Sequence, residues 1–117
     1  MSYIDGFVAA VPTANKQKYI EHAEAAVAVF KEHGALRMVE NWGDDVKDGE
    51  VTSLPMAVKR EETETVVFSW IVWPSREARD TGWEKIMADP RMDTANNPMP
   101  FDGKRMIFGG FETILDK

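Results

Sequence analysis

The chain has 117 residues, enough for one domain with a modest core, and a single domain spanning residues 1–117 is expected. Its 44% hydrophobic and 29% charged composition excludes a disordered chain, and the absence of cysteine excludes disulfides, thiol nucleophiles and thiolate metal sites. The net charge is −6 and the bases are scattered, which argues against nucleic acid, since phosphate backbones are bound by a basic stripe. The N-terminus has no basic or long apolar segment, so no secretory signal is expected. No apolar run approaches the roughly 20 residues that span a bilayer. A cytoplasmic protein without membrane contact is the expectation.

In chain order, the first strand is expected over residues 3–11, ended by Pro12. Alternation puts Ile4, Gly6, Val8 and Ala10 on one face, with Tyr3, Asp5, Phe7 and Ala9 on the other. The first, smaller face is the one expected beneath a helix. A helix over residues 15–33 follows, with Thr13 or Asn15 as its cap. Tyr19, Ala23, Ala26, Val27 and Phe30 form its apolar stripe, and Gly34 suits the left-handed position after its end.

A second strand covers residues 36–42, where Leu36, Met38, Glu40 and Trp42 share a face. A polar turn follows, then an extended piece over 51–58 interrupted by Pro55. Residues 65–73 are apolar on both faces and read as a central strand buried on both sides. Ser75 caps a second helix, which turns Ala78, Trp83, Ile86 and Met87 inward and stops at Asp89-Pro90. Residues 91–98 read as a loop. Pro100 and Gly103 frame a turn around Asp102, and a last strand runs over 105–115 through Gly109-Gly110.

Strand, helix, strand, strand, helix, strand is the order of the ferredoxin-like split βαβ plan: an α+β domain with two helices on one face of a four-stranded antiparallel sheet. The other sheet face carries apolar side chains that a monomer would expose, so two sheets are expected to pack face to face as a homodimer.

Several motifs are longer than a fold requires: Tyr3-Ile4-Asp5-Gly6-Phe7, Phe68-Ser69-Trp70-Ile71-Val72-Trp73-Pro74, Asp89-Pro90-Arg91-Met92, and the run from Met99 through Arg105 to Phe111. Together with Trp42-Gly43-Asp44-Asp45-Val46, they resemble the YbaA-like family of uncharacterised bacterial proteins over almost the whole chain. The resemblance implies a dimeric α/β barrel of ferredoxin-like protomers. That superfamily includes cofactor-independent monooxygenases, haem-handling enzymes, isomerases and small stress-related proteins. No activity or catalytic residue is carried over from the family itself.

Asp5, set among aromatic residues on the face expected to line the barrel, is a candidate general base; otherwise it pairs with Arg105 on the neighbouring strand. Glu40 is the second candidate base, with Trp42 and Trp70 as aromatic walls reaching the lumen; otherwise Trp42 is an aromatic plug in the dimer core and Glu40 pairs across the sheet. In the Asp102, Lys104 and Arg105 cluster, Asp102 fixes the turn, and Arg105 either clamps an anionic ligand or pairs with Asp5 or Glu40. The acidic turn of Asp44, Asp45, Asp48 and Glu50 lacks EF-hand spacing and reads as solvated. His22 and His33 lie roughly 16 Å apart on one helix, at about 1.5 Å rise per residue, too far to share a metal. No Gly-x-Ser-x-Gly elbow or phosphate-binding glycine loop is present. No metal or cofactor is expected.

Two functional readings follow. In the first, a pocket between sheet and helices binds or transforms a small aromatic or carbonyl-bearing molecule. In the second, the barrel is only a dimer core, which requires a filled interior.

Overall fold

The computed structural model describes residues 2–117. Four strands, β1 (Tyr3–Pro12), β2 (Arg37–Trp42), β3 (Glu64–Trp73) and β4 (Ile107–Glu112), form one sheet in the order β2-β3-β1-β4. Every neighbouring pair is antiparallel. Three helices join them: α1 (Lys16–Glu32), the four-residue α2 (Leu54–Ala57) and α3 (Arg76–Met87). The protein is α+β, with the strand order of the split βαβ plan.

Local chemistry accounts for most of the element ends. The Ser75 hydroxyl accepts a hydrogen bond from the Ala78 N–H at 3.1 Å and opens α3. Gly34 takes φ of 108° just after α1, a backbone region that side chains disfavour. Asn15 does not cap α1. Its amide donates instead to the Pro100 carbonyl at 2.9 Å, tying the helix start to the segment before β4. The expected extended piece at 51–58 contains α2, because Ser53 caps a turn and Pro55 stands in its first positions, where a missing N–H does no harm. The last strand begins two residues later than expected. Residues 103–105 form a tight turn whose backbone Asp102 holds through the Lys104 N–H.

The alternation along β1 is correct but its assignment to faces is reversed. Tyr3, Asp5, Phe7, Ala9 and Val11 lie opposite Trp73, Ile71, Ser69, Val67 and Thr65, and this is the set beneath α1 and α3. Small residues were expected under a helix. Large ones lie there instead, because they fill the space between the two layers. On the open face, Gly6 and Gly109 leave room for the Phe111 ring, which passes within 3.5 Å of where a Gly6 Cβ would stand.

β3 is buried on both faces only at one end. There Val66, with Val8 and Ala10, packs under Val46 and Val58 of the connection between β2 and β3. Further along, Phe68 is 48% exposed on the open face, with Trp70 packed edge-on against it at 5.5 Å between ring centroids. The helix-side core joins Ala26, Val29 and Phe30 of α1 to Ile71, Trp73 and Ile86. No helix among the described residues is long and apolar enough to cross a membrane.

Candidate functional site

A cavity of about 430 Å³ lies between the helix face of the sheet and α1. Its volume falls within the roughly 300–1,000 Å³ range of small-molecule sites. Phe7, Met38, Glu40, Ser69 and Ile71 form the floor; Tyr19, His22, Ala23 and Phe30 form one wall; Trp83 and Met87 form another. The roof is the long segment between α3 and β4, which contributes Met92, Asn97, Met99, Phe101 and Met106. Methionines adapt their shape at little cost, so this lining accommodates rather than grips.

The roof is fastened at three places. Asp89 receives His33 at 3.0 Å and the Arg91 guanidinium, and these contacts hold its carboxyl well below the usual range, Arg91 contributing most. In the middle, Asn97 meets His22 Nδ1 at 2.9 Å and donates to the His22 carbonyl at 3.3 Å. Near β4, the Pro100 carbonyl takes the Asn15 amide.

Glu40 is the one carboxylate of this lining, and on the edge strand β2 it keeps an exposed surface. Glu40 lies directly across from Ser69 in the β2–β3 ladder, and its Oε1 accepts a 2.6 Å hydrogen bond from the Tyr19 phenol. Partial desolvation by the side chains around it raises the Glu40 carboxyl above its ordinary value, with the Tyr19 hydrogen bond opposing the rise. Burial, and then the neighbouring Glu40 charge, push the Tyr19 phenol far above its usual 10. Tyr19 therefore stays protonated and donates. Among the described residues, no cation lies within ion-pairing distance of Glu40. A carboxyl that accepts from one phenol, with no cation beside it, at the open edge of a largely apolar cavity is suited to exchange a proton with a bound molecule.

The other residues singled out in the sequence lie elsewhere. Asp5 is 4% exposed and accepts from Trp73 Nε1 at 2.9 Å, Trp83 Nε1 at 2.8 Å and Arg79 at 2.9 to 3.2 Å. Its lone pairs are taken up in anchoring α3, and Arg79, not Arg105, is its cation. Arg105 grips Glu64 with two 2.7 Å bonds and also reaches Asp102 and the Lys59 carbonyl. The Arg105 contact, first among the causes, draws the Glu64 carboxyl below its ordinary value. Every part of that guanidinium is engaged, so Arg105 and Asp102 brace the turn before β4 rather than face the cavity. Trp70 is on the open face. Trp42 is on the helix face, behind Tyr19 at 6.4 Å between ring centroids, so the two tryptophans cannot form one wall.

Tyr19 belongs to the helical stripe and was read as core. Its signal was its own hydroxyl, since a buried phenol needs a partner. His22 and Asn97 are 75 residues apart, and nothing local joins them. No group of three or more His, Asp or Glu side chains that could hold a metal occurs among the described residues.

Fold and cavity together define a class: small α+β domains with a ligand-sized pocket between helices and an antiparallel sheet. The chain belongs to the family described as "Protein of unknown function (DUF1428)", which matches residues 2–103. It is 59% identical over 117 residues to "Uncharacterized protein YbaA" of Escherichia coli K12, with 100% of both chains covered. Proteins of the same name from Escherichia coli O157:H7 and Shigella flexneri match to the same extent. The resemblance seen in the motifs therefore holds over the full chain.

Proposed function

We propose that the protein binds, and exchanges a proton with, a small and mostly apolar molecule carrying one acidic hydroxyl or enolisable carbonyl. The observation that carries this reading is the Tyr19–Glu40 pair, a carboxyl without a cation in a cavity of ligand size. Tyr19 holds one carboxyl oxygen in place, Ser69 lies opposite in the β2–β3 ladder, and the remaining acceptor capacity of Glu40 faces the ligand. Apolar walls supply affinity and the Glu40 carboxyl supplies orientation, the usual division of labour in such sites.

Trp83 lines the cavity and reports on it. Titrating the protein with small phenols and cyclic ketones should give a saturable change in tryptophan fluorescence. Glu40→Gln should weaken binding at least tenfold, because a hydrogen bond to a charged group contributes about 1.5–3 kcal/mol. Ala23→Phe should abolish it by filling the space. If no compound saturates, or if binding survives Ala23→Phe, the reading fails and a filled dimer core becomes the better account.

We further infer that a second copy covers the open sheet face, giving the dimeric α/β barrel that the family resemblance implies. Phe68 and Phe111 are 48% and 60% exposed there, beside Trp70 and Ile107, an apolar area of the kind soluble monomers seldom leave in water. Light scattering should return twice the 13.2 kDa chain mass, and Phe68→Asp should reduce it to one chain. A wild-type mass of one chain would overturn the assembly.

A further inference from the structure

A second concavity of about 670 Å³ adjoins the cavity, on the outer side of α3 toward β4. The two spaces share Phe7, Trp83, Met87 and Met106 as lining, so these side chains form the wall between them. Half of that wall is methionine, the side chain most easily swung aside. Beyond it lies Phe108, on the helix face of β4, stacked on Phe7 at 6.2 Å between ring centroids. Phe108 is 71% exposed and Met87 is 76% exposed, so the helix layer leaves this part of the sheet uncovered.

The charge of the outer cleft restricts its occupant. Its one cation, Arg79, is bound to Asp5 and Asp80, and Asp80 and Glu84 stand at the cleft as acids. An anionic chain would meet repulsion there without a free cation to offset it. An uncharged apolar chain meets Phe7, Trp83, Met87, Met106 and Phe108. The inner cavity supplies its one carboxylate anchor at Glu40, and the cleft lies on the far side of the Phe7, Trp83, Met87 and Met106 wall.

We propose that the ligand is an amphipathic molecule with a proton-bearing head at Glu40 and an uncharged hydrocarbon tail that passes between Met87 and Met106 into the cleft under Phe108. This names the ligand class of the site described above and rests on that reading.

The test is a series of 4-alkylphenols, from methyl to nonyl, titrated below their aggregation limits. Wild-type affinity should rise about threefold for each added methylene, close to the value for transferring that group out of water, and should continue beyond propyl. Phe108→Ser should weaken 4-nonylphenol about tenfold and leave 4-methylphenol unchanged. A plateau at short chains, or an equal effect of Phe108→Ser on both ends of the series, would overturn the tail while leaving the pocket intact. Nonylphenol binding that persists in Ala23→Phe would show the cleft acting without the head site and would also overturn the proposal. If not even 4-methylphenol binds, the pocket reading falls with it.

Discussion

Asp5→Ala should cost about 3–5 kcal/mol of folding stability, the loss expected when one partner of a buried ion pair is removed. The carboxylate is the common acceptor for two indole N–H groups and one guanidinium, drawn from β3 and α3. Removing it leaves Arg79 without its main partner and both tryptophans with unsatisfied donors. Against a typical total of about 5–15 kcal/mol, this approaches unfolding. Urea denaturation followed by tryptophan fluorescence measures it directly. Asp5→Ala combined with Arg79→Met should recover part of the loss, because an apolar pair costs far less than an orphaned charge. A loss below about 1 kcal/mol in the single variant would show that α3 is held by its apolar contacts alone. A fully stable Asp5→Asn that no longer binds phenols would return Asp5 to the list of candidate bases.

Gly82→Ala should destabilise the protein by about 2 kcal/mol, although the same change in an exposed helix interior stabilises by about 1 kcal/mol. Gly82 is buried in α3, and a Cβ there would stand 2.5 Å from Trp73 Cζ3 and 2.7 Å from the His33 carbonyl oxygen. Neither neighbour yields easily. The Trp73 indole is tied to Asp5, and the His33 oxygen is backbone at the end of α1. Separating the layers enough to admit the methyl group costs up to about 3 kcal/mol, which outweighs the helix gain. Thermal unfolding of the variant decides the sign. Higher stability would mean that α3 sits farther from Trp73 than the contact distances state.

Much of the architecture is legible along the chain, because its causes are local. Ser75 caps its own helix three residues ahead, Gly34 ends α1 through its own φ, and the helical spacing of Tyr19, Ala26 and Phe30 selects the buried side of α1. The order of elements, combined with short connections, leaves few topologies, and the observed sheet is among them. The pairing of Glu40 with Trp42 on one face also follows from alternation alone.

Alternation separates β1 into two sets of residues but does not say which set is inside. That choice depends on what α3 brings to the sheet: Arg79 and Trp83 make a place for Asp5 that no neighbour in sequence supplies. The partner of Arg105 was sought on the adjacent strand, yet it is Glu64, 41 residues away at the start of β3, because residues 103–105 turn before β4 begins. The site has the same character. Glu40 was visible as an acid on an apolar strand, but its meeting with Tyr19 and Ser69, and the roof fastened by His22 and Asn97, arise only from register and layer packing. The sequence by itself determined the four strands, the two long helices, their order and the family. Tertiary structure decided which face is buried, which carboxylate is locked by a cation and which is left without one, since those outcomes depend on volumes and hydrogen-bond partners that residues distant in sequence bring together.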